Sequence, residues 1–273
     1  MKWTFDFKVI KARTPQVKGD IVLLHGFAVD YGYFIFVIDK FPAYNLYFLN
    51  LPGHGQMKVS NNKKEMKMKL RFDYMASYVI QFLKEQNLTN IILIAHSMGG
   101  AVASIVENRA RDRIKKLILI SPMNYASMYT CLEFRRNFFP KTLDEKLKGM
   151  KVLYKKPRNG NNKLWMRMMD IQLKSQLKDW KQFKFLGLNE MATPAKLLKV
   201  AHAQKNIKVP LMVCLGQGDG IVPYQKSKTF FQKHHPDCKI VTFRDSGHLC
   251  FEEETFKFAK EVKDFLDAKP NSI

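Results

Sequence analysis

The sequence predicts an α/β protein with a mostly parallel sheet, helices on both faces of that sheet, and one inserted helical cap. Short apolar runs alternate with longer segments of helical periodicity, and this alternation is typical of βαβ units. The alternation stops between Asn124 and Asn206, where Lys, Met, Leu and Trp dominate, and then resumes. We therefore expect an α/β core formed by residues 1–123 and 207–273, and a cap or lid formed by residues 124–206.

The individual elements follow from the length and period of each apolar run. A short apolar run that ends in turn residues predicts a buried strand, whereas an apolar period near 3.6 predicts a helix. In an open parallel sheet the ligand site lies beyond the carboxyl ends of the strands. The predicted strands are Ile21–Leu24, Leu46–Leu49, Ile91–Ile94, Leu117–Ile120, Pro210–Leu215 and Cys238–Phe243, and the predicted helices are Phe72–Lys84, Ala101–Ala110 and Glu252–Leu266.

The composition indicates a folded protein with a strongly basic surface. Apolar residues make up 46% of the chain, which argues against extensive disorder. The net charge of +22 suggests an anionic partner such as an acidic membrane surface, an anionic substrate or nucleic acid, with lysine-rich codon usage as the alternative explanation. No zinc finger, recognition helix or RNA-binding motif accompanies the charge, which argues against nucleic acid and leaves transient contact with an anionic membrane open.

The cysteines and the amino-terminal residues indicate an intracellular protein without metal or cofactor. Cys131, Cys214, Cys238 and Cys250 are scattered, with no Cys-x-x-Cys pair and no histidine at ligand spacing, so we expect buried, reduced thiols. The first residues lack the apolar stretch of a signal peptide. No segment approaches the roughly 20 apolar residues that a membrane span requires. We expect a cytoplasmic location.

The segment 91–100 carries the most specific indication of chemistry. Its apolar run ends in Ala-His-Ser-Met-Gly at 95–99, and the small residues around Ser97 permit a sharp turn from strand to helix. Such a turn presents the hydroxyl beside the free N–H groups of a helix start. Ser97 could then attack a carbonyl while the N–H of Met98 binds the resulting oxyanion. The alternative is an ordinary helix in which the serine is only the N-cap.

A histidine and a carboxylate follow later strands at the same predicted edge of the sheet. His248 follows the strand that ends at Phe243, and an imidazole there can take the serine proton and return it to a leaving group. The other imidazole nitrogen needs an acceptor. Asp219, in the glycine-rich loop after the preceding strand, is the best candidate, although Asp-Gly is also a common turn pair. Asp245 lies too close in sequence, and Asn124 carries an amide.

A second oxyanion donor is expected from the loop after the strand Ile21–Leu24. Gly26 frees the backbone there, and the N–H of Phe27 can point at the same oxygen as that of Met98. We interpret the neighbouring His25 as a structural side chain that pins this loop.

Five motifs in chain order resemble the α/β-hydrolase superfamily, and within it a serine esterase or lipase-like member with a helical cap. The resemblance extends from about Asp20 to Leu266, with the cap unmatched by any motif. It implies the α/β-hydrolase fold, with Ser97 as nucleophile, His248 as base and Asp219 as acid. The motifs are Leu-His-Gly-Phe at 24–27, Leu-Pro-Gly-His-Gly at 51–55, Ala-His-Ser-Met-Gly-Gly at 95–100, Gly-Gln-Gly-Asp-Gly-Ile-Val-Pro at 216–223 and Ser-Gly-His at 246–248.

By the same resemblance, Phe27 and Met98 supply the oxyanion hole through their backbone N–H groups. Two departures from the family pattern concern neither a catalytic atom nor the order of the motifs. Alanine stands at 95 where the family has glycine, and Asn50 precedes Leu-Pro-Gly-His-Gly where the family has aspartate.

The reaction predicted from these residues is acyl transfer to water. A serine at the elbow argues against dehalogenase or epoxide-hydrolase chemistry, which needs an attacking carboxylate, and leaves ester, thioester or amide cleavage. We expect a carboxylic ester hydrolase acting on acyl-lipid or small ester substrates. The alternatives are an aminopeptidase of the same fold, similar to proline iminopeptidases, a nucleic-acid-binding module, and an inactive scaffold.

The composition of residues 124–206 bears on the substrate. They contain 18 Lys and Arg against six Asp and Glu, so few carboxylates are present to hold the ammonium group of a peptide substrate. A basic rim would instead favour anionic lipids or phosphorylated head groups. The segment's apolar residues either line an acyl site or form the cap's own core, and they are Phe138, Phe139, Leu164, Trp165, Met166, Met168, Met169, Trp180, Phe183 and Phe185.

Overall fold

The computed structural model describes residues 3–156 and 162–268. The strands are β1 (Phe7–Ile10), β2 (Gly19–Leu24), β3 (Tyr44–Leu49), β4 (Ile91–His96), β5 (Ile114–Ile120), β6 (Leu211–Gly216) and β7 (Lys239–Phe243). They form one sheet in the order β1-β3-β2-β4-β5-β6-β7. β1 is antiparallel to β3, and all the other neighbours are parallel. The prediction of a mostly parallel sheet is confirmed.

β1 is the strand that the sequence analysis missed. It has four residues, pairs on one side only, and buries none of its side chains fully. The six predicted strands are present, and the three from β4 to β6 are buried along nearly their whole length between helices. Such strands have long apolar runs, whereas a short edge strand has no comparable signal.

Helices cover both faces of the sheet. Their apolar sides form two clusters of buried residues, one on each face. Among the residues described, no helix is long and apolar enough to cross a membrane. The α-helices are α1 (Lys63–Lys69), α2 (Phe72–Glu85), α3 (Met98–Arg109), α4 (Cys131–Asn137), α5 (Leu143–Leu153), α6 (Lys163–Lys178), α7 (Trp180–Leu186), α8 (Pro194–Lys205), α9 (Tyr224–His234), α10 (Cys250–Glu253) and α11 (Thr255–Asp267).

The single helix predicted over Glu252–Leu266 is wrong in one respect, because the structure has two helices there. The helical conformation is interrupted at Glu254, whose backbone adopts φ −124° and ψ 53°. The Glu254 carboxylate accepts hydrogen bonds from the Asp245 N–H and the Ser246 hydroxyl. At this interruption the Glu254 side chain holds the loop that leads to His248. Helical periodicity in the sequence gives no indication of this contact.

Connections across the sheet create a switch point between β2 and β4. The chain passes from β2 outward to β3 and then returns to place β4 on the other side of β2. Loops from neighbouring strands diverge at such a point, which leaves a crevice at their carboxyl ends. All the described regular elements between β5 and β6 are helical, namely α4 to α8 and shorter 3₁₀ and π turns.

The cysteines only partly match expectation. Cys214 and Cys250 are buried free thiols, as predicted, whereas Cys131 and Cys238 are half-buried. Burial raises the pKa of all four thiols, and that of Cys238 to about 11.

Candidate active site

Ser97 occupies a strained turn between β4 and α3. Its φ of 53° and ψ of −116° lie in a region that residues with a side chain rarely adopt. The turn is possible because Gly99 packs directly on β2: a Cβ at this position would lie 2.6 Å from the carbonyl oxygens of both Leu24 and His25. Strain at one serine, supported by close glycine packing, matches the elbow predicted from the sequence.

The loop after β2 lies against this elbow. A Cβ on Gly26 would come within 2.9 Å of the His96 ring and 3.4 Å of the Ser97 Cβ, so only glycine permits this approach. Within the described parts of the chain, the backbone N–H groups of Phe27 and Met98 donate to no protein acceptor. Two free amide donors therefore flank Ser97.

His25 and His54 hold this loop in place. His25 donates from Nδ1 to the Gly26 carbonyl at 2.8 Å and accepts from the Leu51 N–H at 3.0 Å. His54 Nε2 accepts from the Ala28 N–H at 3.2 Å. Burial lowers the pKa of His25 to about 4 and the pKa of His54 well below its usual value, so both rings are neutral. The structural interpretation of His25 agrees with these contacts.

Asn50 has a structural reason to be an amide. Its Nδ2 donates to Asp6 Oδ2 at 2.6 Å, and its Oδ1 accepts from the Tyr31 N–H at 2.8 Å. An aspartate at this buried position would place two carboxylates in contact, which is unfavourable. This departure from the family pattern follows from Asp6.

Asp219 and His248 are in direct contact in a buried environment. His248 Nδ1 lies 2.7 Å from Asp219 Oδ2, with side chains that are 5% and 2% exposed. Asp219 Oδ1 accepts from the N–H groups of Ile221 and Val222, each at 2.8 Å. The carboxylate accepts all three hydrogen bonds, so Nδ1 carries a proton and, in the neutral form of the ring, Nε2 carries the lone pair.

The His248 loop is also anchored to neighbouring elements. The His248 N–H donates to the Leu153 carbonyl at the end of α5 at 2.6 Å, and the His248 carbonyl lies 3.1 Å from His96 Nε2. The rings of His96 and His248 are 4.8 Å apart between centroids. Burial lowers the pKa of His96 well below its usual value, so a neutral His96 next to Ser97 holds the loop that carries His248.

Ser97 and His248 face one cavity of about 680 Å³, which Gly26 and Phe27 also line. In the residues that the structure describes, neither the Ser97 hydroxyl nor His248 Nε2 has a hydrogen-bond partner, and the two groups do not bond to each other. Hydrogen bonds between catalytic groups are often long without substrate. Of the five sequence-predicted residues, Phe27, Ser97 and His248 line this cavity, while Asp219 contacts His248 and Met98 directly follows Ser97. The Asp–His contact is formed and the Ser–His contact is open.

Asn124 has a different role. Its Oδ1 accepts from the Ala126 N–H at 2.7 Å, while its Nδ2 donates to Pro122 O and Ser227 Oγ, each at 3.0 Å. It therefore caps the 3₁₀ turn after β5 and contacts no histidine.

Two polar residues of the cavity wall escaped the sequence analysis. Lys146 on α5 is buried, and its Nζ lies 3.1 Å from Oε1 of Gln176 on α6. In the sequence, Lys146 is one of many basic residues, and nothing marks it as buried. Among the residues described, no group of three or more His, Cys, Asp or Glu side chains could hold a metal ion.

Comparison with known proteins gives consistent results. Residues 15–255 match the family model described as serine aminopeptidase, S33. A Mycoplasma pneumoniae protein named "Putative esterase/lipase 3" is 27% identical over 261 residues, which cover 93% of this chain and 89% of that protein.

Solved structures share the fold at low sequence identity. A serine hydrolase from Cycloclasticus zankles superposes with a TM-score of 0.79 at 17% identity, covering 98% of this chain and 96% of that one. An esterase from Exiguobacterium antarcticum gives 0.73 at 17% identity, with 97% and 96% covered. These similarities support the fold that the sequence predicts.

Proposed function

The chain belongs to the S33 serine aminopeptidase family of α/β-hydrolases, and from this premise we propose that it is a serine hydrolase of carboxylic esters. One observation carries the proposal. His248, paired with the buried side chain of Asp219, lines the same cavity as Ser97, whose strained backbone is typical of a nucleophile elbow. The esterase names of the sequence relative and of a structural neighbour support ester substrates.

In the proposed mechanism, Ser97 Oγ attacks the carbonyl carbon of the ester as its proton passes to His248 Nε2. His248 then protonates the leaving alcohol, and an acyl-serine remains. Water repeats the sequence: it gives a proton to Nε2, attacks the acyl carbon and releases the acid, while the proton returns to Ser97. Asp219 keeps the Nδ1 proton in place and stabilises the imidazolium.

The amides of Phe27 and Met98 are the proposed oxyanion donors. Both are free of protein acceptors in the part of the chain described. Phe27 lies in the loop after β2, Met98 begins α3, and buried contacts hold both segments in place. Preorganised donors stabilise the tetrahedral intermediate because they need no reorientation when the negative charge develops.

An aminopeptidase is the second candidate because the family model carries that name. Such an enzyme needs a carboxylate to bind the substrate's ammonium group. The carboxylates that line the cavity are already engaged: Asp179 pairs with Lys58, Asp30 caps the turn that follows it, and Glu252 accepts from the Tyr154 hydroxyl. This favours an ester over an aminoacyl amide.

Residues 124–206 form, in this proposal, a cap over the site. Support comes from the Phe27 ring, which packs edge-on against Phe134, Phe139 and Phe183 of that segment at centroid distances of 5.5, 6.1 and 5.7 Å. The cap would exclude water from the acyl-enzyme and contact the acyl chain.

A cytoplasmic location stays a prediction.

The mouth of the cavity is the proposed site of transient contact with an anionic membrane. Leu164, Met168 and Ile171 share one face of α6 and are 69%, 46% and 57% exposed. The last two line the cavity, and α6 also carries four Lys and Arg against one Asp. Apolar side chains next to basic ones favour binding at an acidic lipid surface.

Vesicle co-sedimentation tests the membrane contact. We expect more protein to co-sediment with vesicles that contain about 30% phosphatidylglycerol than with vesicles of phosphatidylcholine alone. The Ile171→Ser variant should co-sediment less than the wild-type protein. Leu198→Ser, exposed on α8, is the matched control. Equal partition to both vesicle types would contradict the contact.

The ester assignment is tested with p-nitrophenyl butyrate and proline p-nitroanilide. We expect kcat/KM to favour the ester by at least about 100-fold, and Ser97→Ala to lower kcat by about 10⁵-fold or more. Ser77→Ala, exposed on α2, is the matched control. Preferential amide cleavage would favour the aminopeptidase, and an unaffected Ser97→Ala variant would exclude the serine mechanism.

A further inference from the structure

Lys146 is a buried cation on the wall of the active-site cavity. It lies on the inner face of α5, is 8% exposed, and lines the same cavity as Ser97 and His248. Its Nζ donates one hydrogen bond, to Gln176 Oε1 at 3.1 Å. Over residues 3–156 and 162–268, no carboxylate forms an ion pair with it.

A buried ammonium group without a counterion is energetically costly. A lysine that served only to pack its alkyl stem would extend its ammonium group into water. Here the head group is buried with the stem, and two of its three N–H donors are left without a protein acceptor in the described chain. Burial lowers the pKa of Lys146 to about 8, so the cation still predominates at pH 7.

Gln176 connects this cation to the loop of the proposed oxyanion hole. Its Oε1 accepts from Lys146, and its Nε2 donates to the Ala28 carbonyl at 2.8 Å. Across a planar amide these two bonds place Nζ within about 8 Å of the Ala28 oxygen. Ala28 directly follows Phe27, so Gln176 links this cation to the loop that carries one of the proposed oxyanion donors.

The wall next to Lys146 is apolar. Met150 follows one turn later on the same face of α5, and Trp165 and Met169 of α6 also line the cavity. A substrate that combined an ester, a short apolar spacer and an anionic group would match this sequence of surfaces.

We propose that Lys146, oriented by Gln176, binds an anionic group of the substrate, so that the preferred substrates are esters with a carboxylate or phosphate on the acid or alcohol portion. This inference rests on the proposed ester hydrolysis. The anion would accept the two unused N–H donors of Nζ and neutralise the buried charge. Such a pairing would offset the cost of burying the ammonium group.

Two matched substrate pairs test this inference. Mono-p-nitrophenyl adipate against p-nitrophenyl hexanoate places the anion in the acid portion. Hexanoyl glycerol phosphate against hexanoyl glycerol places it in the alcohol portion. We expect the wild-type protein to favour the anionic member of at least one pair, and Lys146→Met to lower that kcat/KM ratio by about 10- to 100-fold.

Three variants complete the experiment. Lys146→Arg keeps the positive charge and should retain most of the preference, whereas Gln176→Glu supplies an internal carboxylate and should abolish it. Lys148→Met, on the exposed face of α5, should leave the ratio unchanged. If circular dichroism shows that Lys146→Met folds poorly, Gln176→Glu provides the same test, because the new carboxylate pairs with the Lys146 ammonium group without removing it.

The outcomes separate this inference from the ester assignment. If none of the four esters is hydrolysed in a Ser97-dependent reaction, ester hydrolysis itself is refuted. Turnover without a preference for an anionic member, or a preference that Lys146→Met and Gln176→Glu both preserve, would overturn only the role of Lys146. A preference in one pair and not the other identifies the portion of the ester that carries the anion.

Discussion

The substitution Asp219→Asn tests the pairing at the centre of the site. In the native chain Oδ1 accepts two N–H groups and Oδ2 accepts the His248 Nδ1 proton. The amide oxygen of asparagine must stay on the two N–H donors, so its NH₂ faces His248. That NH₂ donates to Nδ1 and moves the imidazole proton to Nε2, where it blocks proton transfer from Ser97.

The size of the effect follows from this tautomer. We expect kcat at pH 7 to fall by about 10⁴-fold, which corresponds to about 5 kcal/mol in the activation barrier. The thermal midpoint should change little, because all three hydrogen bonds keep a partner. Steady-state hydrolysis of p-nitrophenyl butyrate and differential scanning calorimetry measure the two quantities.

The matched control is Asp245→Asn. Asp245 belongs to the same loop as His248, but its side chain is 65% exposed. We expect this variant to keep near wild-type activity. A loss of less than tenfold in Asp219→Asn, or an equal loss in both variants, would refute the role assigned to Asp219.

Three further predictions concern stability and are measured by urea unfolding. Gly99→Ala should cost about 1–3 kcal/mol and most activity, because its Cβ meets two backbone oxygens at 2.6 Å; unchanged stability would contradict the close packing. Lys116→Met should cost about 2–3 kcal/mol, since the buried Nζ donates to three carbonyls at the end of α11; an unchanged midpoint would argue against this cap. Burial lowers the pKa of His25 to about 4, so between pH 6.5 and 4 the unfolded chain binds a proton that the native chain does not. The free energy of unfolding should therefore decrease as the pH is lowered through that window, by up to about 1.4 kcal/mol per pH unit from this residue. His25→Gln should reduce this slope, and equal slopes in the two proteins would contradict a buried neutral ring.

The sequence predicts those parts of the fold whose signals are local. Buried parallel strands such as β4 and β5 are continuous apolar runs, and the turn residues after them mark the edge where the site lies. β1 and the break at Glu254 were missed because both depend on contacts with residues outside the segment itself. β1 exists through its pairing with β3, and Glu254 accepts from the loop before His248.

The same distinction holds within the site. Ser97, Asp219 and His248 stand in short motifs whose composition reflects sharp turns, so their positions can be read from the chain. The burial of Lys146 results from the packing of α5 against α6, and the amide at position 50 depends on Asp6. Neither partner is close in sequence, and only the three-dimensional structure brings them together.

Covalent labelling of the protein with a fluorophosphonate probe tests the central claim most directly. Intact mass spectrometry should give one adduct per chain, and peptide mapping should locate it on Ser97. The adduct should be absent in Ser97→Ala and should form far more slowly in His248→Ala. Full labelling of Ser97→Ala, or an adduct on any other residue of the wild-type protein, would contradict the assignment of Ser97 as the nucleophile.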